Sequence, residues 1–402
     1  MKKNKSHLIF KGDNLHILPK LIENYKSSVK VIYIDPPYNT QNKFTYIDKR
    51  EDWEDFVKIR LEIAKDLLKE DGVIFISIDD SKFAELKKIC NLIFDNKNFL
   101  GTFITKQSNR SNSKHINLIH EYIMVFAKNK SKVKPLKIKR INTEEDGKVI
   151  NKLIKEIKEE FYKNKDIKLT EKILKEKIKS ILLNDKRYSW LKNYNNIDSN
   201  GKIFFAKDLS TPSRPRKVSL ASINLFLEPL KNRGWSSDKL ILELHKNKRL
   251  FFKKERPYSI HYLEESEDNV QSILNFYSRQ GTRDLELLKM GGTFDYPKPV
   301  EMIKYLISIT GCKNDTVLDF FAGSGTTGQA VLEMNKLKNL GLNFILVQSE
   351  ENILKSDKIL MFEFENGIKI NSIFDICVER ISRVCNKLGI IMKNEVEIID
   401  YE

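Results

Sequence analysis

Cysteine is scarce: only Cys90, Cys312, Cys377 and Cys385 occur in 402 residues, and none forms a CxxC pair. The six histidines make no HExxH or similar ligand spacing. A disulfide framework and a zinc site are therefore excluded as organising principles, and reduced thiols in a cytoplasmic protein are expected. Long apolar runs are missing too. No window approaches a membrane span, and the start, "MKKNKSHLIFKGDN", is basic without an apolar signal core. The one conspicuous glycine turn lacks a phosphate-loop lysine after its second glycine, which argues against ATP chemistry. Acidic residues are outnumbered 55 to 71 by Lys plus Arg, giving +16 and a pI near 9.3. That surplus favours a polyanionic partner, although a lysine-rich proteome would produce it as well.

What is present organises into an interrupted α/β pattern. With 41% hydrophobic residues the chain can bury a substantial core. Over 1–128, the apolar runs "HLIF", "VKVIYI", "GVIFISID" and "EYIMVFAK" alternate with the helical "WEDFVKIRLEIAKDLLK". This grammar predicts an α/β sheet. It returns over 291–402 with "PVEMIKYLISI" and "TTGQAVLEMNKL" as helices, and "DTVLDFF" and "NFILVQ" as strands. The stretch 129–290 differs and reads as an insertion. Leu153, Ile157, Phe161, Ile173, Leu174, Ile178 and Ile181 have the spacing of an amphipathic helical hairpin with a solvated charged face. Further on, aromatic and basic residues interleave: Tyr188, Trp190, Tyr194, Phe204, Phe205, Arg214, Arg216, Lys217, Arg233, Trp235, Arg249, Phe251 and Phe252. Such a mixture can grip nucleic acid, but most of these rings are expected in a core, because aromatics bury area efficiently.

Two motifs carry the chemistry. "VIYIDPPYNT" ends a buried strand with Asp35-Pro36-Pro37-Tyr38, where the carboxylate resists burial and neither proline can donate to a ladder. Such a stop makes sense if the carboxylate serves a site. "VLDFFAGSGTTGQAV" is a strand, a glycine turn and a helix start. Gly323 and Gly325 allow a tight turn and close ligand approach, while Ser324, Thr326 and Thr327 offer hydroxyls and helix-end amides. Its bland alternative is a turn that serves helix packing. A nucleoside without a pyrophosphate is the expected ligand, held above Asp319.

Together the motifs resemble the amino-group DNA methyltransferases that use S-adenosylmethionine. "DPPY" stands as the catalytic motif and "FAGSG" as the cofactor motif, in the catalytic-first order of the β group. "FKGDNLHIL" is similar to the family's Gly-Asp segment and implicates Asp13 near the cofactor adenine; "YPKPVEMIKYLI" is similar to its Lys-Pro motif and implicates Lys298 and Pro299. "KQSNRSNSKHINLIHEYIMVFAK" and "GTRDLELL" resemble modification subunits of type III restriction systems. The resemblance implies a circularly permuted Rossmann-like methyltransferase sheet with an inserted target-recognition region. The segments would be a catalytic half (1–128), a DNA-binding insertion (129–290) and a cofactor half (291–402). Asp35, Pro36, Pro37 and Tyr38 would be catalytic. Asp13, Lys298, Asp319, Phe321, Ala322, Gly323, Ser324, Gly325, Thr326 and Thr327 would hold the cofactor. Its ribose would be met by Gln348 or Glu350, since the acid that many relatives carry is here a glutamine.

The implied reaction methylates adenine N6 in double-stranded DNA. An exocyclic amine has its lone pair delocalised into the ring. If Asp35 accepts one N6 hydrogen and the Pro36 carbonyl the other, the nitrogen can pyramidalise and aim its lone pair. Tyr38 would stack on the base, which must flip out of the duplex to be reached. Cytosine N4 is the neighbouring alternative, and Asp35 favours adenine because the cytosine enzymes more often carry serine there. An RNA or protein methyltransferase is disfavoured by Asp at 35 and by the motif order; an idle DNA-binding specificity subunit is disfavoured by the intact chemical positions. By analogy a homodimer and a separate restriction endonuclease subunit are expected partners. No membrane association is expected.

Overall fold

The computed structural model describes residues 7–39, 52–106, 115–141, 144–209, 244, 246–253, 256–353 and 355–401. The chain divides into two compact units, Met1–Lys137 with Asn269–Glu402, and Ile138–Asp268. The first begins with β1 (His7–Lys11), α1 (Asn14–Tyr25), β2 (Val29–Ile34), α2 (Trp53–Leu67), β3 (Leu68–Ile78), α3 (Phe83–Phe94), β4 (Phe99–Lys106) and β5 (His120–Ala127). After the short β6 (Lys137–Lys139), the second unit supplies helices α4 (Glu144–Asn164) and α5 (Ile167–Asn184). Its strands are β7 (Asn196–Ile197), β8 (Ile203–Asp208), β9 (Leu250–Lys253) and β10 (Arg256–Tyr262). After β11 (Glu267–Asn269) the first unit resumes with β12 (Ile273–Leu274), α6 (Ser278–Leu287), α7 (Val300–Ser308), β13 (Thr316–Asp319), α8 (Thr326–Lys338) and β14 (Asn343–Gln348). It ends with α9 (Asp357–Asn366), α10 (Ile373–Leu388), α11 (Met392–Glu395) and β15 (Val396–Asp400).

The first unit is α/β, built on a nine-stranded sheet in the order β12-β4-β5-β3-β2-β13-β14-β1-β15. Pairing is parallel from β3 across to β15 and turns antiparallel at β3–β5 and β5–β4. All six residues of β2 are buried, which explains why all but Lys30, whose ammonium pairs with Asp71 at 2.7 Å, are apolar: a parallel strand covered by helices on both faces has no solvent side. Each such buried Val or Ile contributes roughly 1.5–3 kcal/mol. The α2 helix turns Trp53, Phe56, Val57, Leu61, Ala64 and Leu67 onto the same core at helical spacing.

β13 lies between β2 and β14, so the two halves of the sequence interleave in one sheet. This is a circularly permuted Rossmann-like sheet. From β2 the chain crosses by α2 to β3 on one side, whereas from β13 it crosses by α8 to β14 on the other. The crossovers diverge between β2 and β13, and a crevice opens at their carboxyl ends. Asp35 follows β2 and the glycine turn follows β13, so the topology delivers both motifs to one edge. The β4 and β15 strands and the α3 and α10 helices belong to the same unit without having been singled out above.

The second unit packs the α4–α5 hairpin on a core that includes Leu153, Ile157, Phe161, Leu174 and Ile178, with Ile173 and Ile181 half-buried against it. Tyr188, Tyr194 and Phe204 are buried in the same unit, and Trp190 and Phe205 pack on its core. The described aromatics are thus mainly core, and Arg249 pairs with Glu265 at 2.7 Å beside the Tyr262 ring. Arg214, Arg216, Lys217, Arg233, Trp235 and the Phe252 side chain lie outside the described residues, as do 107–114 of the "KQSNRSNSKHINLIHEYIMVFAK" segment.

Candidate active site at the carboxyl edge of the sheet

The Asp35–Tyr38 segment is pinned from both sides. Trp53 Nε1 donates to the Pro37 carbonyl at 2.6 Å, and Ser81 Oγ donates to the Tyr38 carbonyl at 3.1 Å. Trp53 is 2% exposed, so the indole both fills the core and holds the loop. Its partner is the Pro37 carbonyl and not that of Pro36, the oxygen expected to meet an amine. Both Asp35 oxygens hold donors: Tyr38 Oη at 2.7 Å on Oδ1 and Lys298 Nζ at 2.8 Å on Oδ2. Lys298 is expected among the cofactor residues; here it lines the cavity and its ion pair is with the Asp35 carboxylate. The Lys298 ammonium also sits 5.1 Å from the centre of the Tyr38 ring.

A residue not anticipated completes this cluster. Glu121, at the start of β5, places Oε2 3.3 Å from Tyr38 Oη and 3.5 Å from Lys298 Nζ. Burial raises the Glu121 carboxyl above its usual range, with Lys298 pulling it back and Asp35 pushing it further. Burial alone would lower Lys298, but Asp35 and Glu121 carry it well above its ordinary value, so the ammonium stays charged. The Tyr38 phenol is likewise held protonated, by burial and by both carboxylates.

The glycine turn is built from behind. Asp319 is 3% exposed and accepts from the Phe321 amide at 3.1 Å and the Thr327 hydroxyl at 2.5 Å. Burial raises its carboxyl to about 7, with those two donors opposing the shift. Arg380 on α10, 0% exposed, donates to Ser324 Oγ at 2.8 Å, Thr326 Oγ1 at 2.7 Å and Gln329 Oε1 at 2.8 Å. Burial lowers the guanidinium to about 10, with Asp284, Cys377 and Glu333 opposing the shift. Gly323 (φ +52°) donates its amide to Gln348 Oε1 at 2.8 Å. Gly325 (φ +80°) begins α8, and a Cβ there would lie 3.0 Å from Cys377 Sγ. Gly328 completes a GxGxxG spacing, and its absent Cβ lets α8 approach Ile381 and Leu346.

Both motifs open into one cavity of about 630 Å³, a size suited to a small-molecule ligand, roughly 300–1,000 Å³. Asp35, Pro36, Pro37 and Tyr38 line it, as do Asp13, Lys298, Asp319, Phe321, Ala322, Gly323, Ser324, Thr326 and Gln348. Three expected members stand apart. Thr327 is spent on Asp319, and Gly325 serves the α8–α10 packing. Glu350 is exposed and pairs with Lys11 at 2.8 Å, so of the two ribose candidates only Gln348 reaches the cavity, together with the unanticipated Glu351. Asp13 caps α1 through the Leu15 amide at 2.8 Å and meets Arg60 at 2.9 Å; Asn14 donates to the Phe320 carbonyl at 2.6 Å and accepts from Arg60. This chain of bonds ties the start of α1, α2 and the end of β13 together.

A family model described as DNA methylase matches residues 29–359, a span that contains both motifs and most of the cavity wall. The chain belongs to this DNA methylase family. Among similar proteins, the DNA methylase is 30% identical to the type III restriction-modification enzyme EcoP15I Mod subunit of Escherichia coli, over 96% of this chain and 64% of that one. It is 29% identical to the EcoPI Mod subunit of Escherichia phage P1, over 98% and 65%. The type II methyltransferase M.KpnI of Klebsiella pneumoniae is 27% identical over 98% of this chain and 91% of its own length. The chain thus spans just under two thirds of the two Mod subunits it matches. Among the described residues no group of His, Cys, Asp and Glu could hold a metal ion, and no helix is long and apolar enough to cross a membrane.

Proposed function

We propose that this DNA methylase transfers a methyl group from S-adenosylmethionine to the N6 amine of adenine in double-stranded DNA, as the modification part of a restriction-modification system. The observation that carries this reading is the shared cavity: a strand-end carboxylate and a glycine turn from different crossovers face one space. The residues present fit the cofactor. A Cβ on Gly323 would find only ordinary contact with Phe294, 3.4 Å away, so the floor of the turn is open, with polar Asp13, Gln348 and Glu351 around it. S-adenosylmethionine supplies an electrophilic methyl group.

The chain's own residues do the rest. Asp35 receives the amine and accepts one of its hydrogens, and the Pro36 carbonyl accepts the other, which localises the nitrogen lone pair. Trp53 and Ser81 keep the backbone rigid, so the geometry is set before the base arrives. Tyr38 offers its ring to the flipped base once Asp35 turns to the amine. The 129–290 insertion, which contains the Ile138–Asp268 unit, would carry target recognition. Double-stranded DNA and a separate endonuclease subunit complete the reading, supported by the Mod relatives being subunits of restriction-modification enzymes, and a homodimer is added by analogy alone. Cytosine N4 presents the same kind of amine, and the aspartate at position 35 favours adenine.

Replacement of Asp35 by alanine tests the assignment. Methylation of unmodified genomic DNA should fall by at least about a thousandfold, the scale for losing a key polar contact to the reacting group. Cofactor affinity measured by calorimetry should change by no more than about threefold, because Asp35 bonds to Tyr38 and Lys298 and not to the glycine turn. Turnover close to the parent's would refute the role.

A further inference from the structure

Two donors in the site are each aimed at the same two acceptors. Lys298 Nζ lies 2.8 Å from Asp35 and 3.5 Å from Glu121, and Tyr38 Oη lies 2.7 Å from Asp35 and 3.3 Å from Glu121. Both donors favour Asp35, and both have Glu121 as their second partner. An amine that is to bond with Asp35 finds each of its oxygens already engaged, so a donor has to leave. In this buried setting an ammonium does not leave a carboxylate unless another receives it, because an unpaired buried charge is strongly destabilising.

We propose that Glu121 is the positioning residue that receives Lys298, and with it the Tyr38 hydroxyl, when the target amine takes Asp35. This rests on the reading that Asp35 binds an exocyclic amine, and it holds for adenine or cytosine alike. In the resting site Lys298 holds Asp35 in place through its 2.8 Å ion pair. On arrival of the base, Lys298 shifts to Glu121, and an Asp35 oxygen is released for the amine hydrogen. No bond to the glycine turn is involved. Glu121 therefore bears on the chemical step and on seating of the base more than on cofactor capture. A purely structural Glu121 would instead act by holding β5 in the sheet, a role indifferent to which side chain stands at 298.

The test is a cycle of Glu121→Gln, Lys298→Met and their combination, with Glu121→Asp beside it. Each is measured for initial methylation of unmethylated genomic DNA at saturating cofactor, for cofactor affinity by calorimetry and for thermal midpoint. Glu121→Gln should lower kcat on the order of 100-fold, as Lys298 stays locked on Asp35, while cofactor affinity stays within about threefold. Glu121→Asp, which keeps the charge, should recover at least about tenfold of that loss. In the Lys298→Met background the Glu121→Gln loss should shrink to within about threefold. An unchanged kcat in Glu121→Gln, an equal loss in both backgrounds, or a Glu121→Asp variant no better than Glu121→Gln would each overturn the hand-over. If Lys298→Met turnover falls below detection, the comparison of Glu121→Asp with Glu121→Gln decides. The labelled nucleoside made by the parent protein reports separately on which base is methylated, so failure of the adenine reading and failure of the hand-over are distinguishable.

Discussion

Arg380→Met isolates what holds the glycine turn in place. The guanidinium bonds to Ser324, Thr326 and Gln329, all within the glycine turn and the helix that follows it. Bonds to a charged donor are worth about 1.5–3 kcal/mol each, and the three acceptors are themselves 3–7% exposed, so water does not replace the lost partner. Against that loss stands the relief of removing a buried cation. Its lowering by burial to about 10 corresponds to roughly 3 kcal/mol of unfavourable burial. The net expectation is a destabilisation of about 2–6 kcal/mol, together with a loosened turn. Methionine keeps the apolar stem, so the core of α10 is largely preserved. Calorimetric titration with S-adenosylmethionine should show affinity reduced about tenfold or more, and denaturant unfolding should show the lower stability. An unaltered affinity together with an unaltered midpoint would mean that the turn holds its shape without the arginine, and the reasoning would be refuted.

The two leading glycines of the turn should part company. Gly323→Val fills the open floor of the cavity and strains a φ of +52°, so cofactor affinity should drop more than about tenfold, read by calorimetry. Gly325→Ala meets Cys377 at 3.0 Å with φ at +80°; it should cost about 1–3 kcal/mol in denaturant unfolding whether or not cofactor is present. Asp319→Asn should change the pH dependence of stability. The native carboxyl, raised mainly by burial to about 7 from 3.8, binds its proton more tightly folded than unfolded. Its contribution is therefore complete below about pH 4 and is lost as pH rises toward 7. Relative to the parent, the asparagine variant should gain up to about 4 kcal/mol between those pH values. Parallel stability–pH curves for the two proteins would contradict the assignment.

The sheet could be read from the sequence because its strands are buried on both faces and therefore appear as largely apolar runs, "VKVIYI" and "NFILVQ" among them. The two motifs were legible for the opposite reason: Asp35 and the Gly323 turn interrupt such runs with residues a strand would avoid. Glu121 was not legible, since an acid at the head of an apolar strand has the same appearance whether it faces solvent or a buried lysine. Its role comes from Lys298, distant in sequence, crossing the sheet edge to meet it. Arg380 reads as one more charged position of an amphipathic helix, "IFDICVERISRVCNKL", and only packing places it under the turn. Thr327 and Gly325 were read as ligand-facing because hydroxyls and glycines after a strand commonly are. Here the buried Asp319 takes the hydroxyl and Cys377 takes the space. The aromatic and basic stretch before 262 proved ambiguous in the same way, with its described rings filling a core.

The central claim is that Asp35 and the glycine turn present adenine and a methyl donor to one another. Incubation of the protein with methyl-labelled S-adenosylmethionine and unmethylated genomic DNA, followed by digestion to nucleosides and chromatography, tests it most directly. The account predicts label in N6-methyldeoxyadenosine. Label confined to N4-methyldeoxycytidine would contradict the choice of base, and absence of label from DNA despite bound cofactor would contradict the reaction itself.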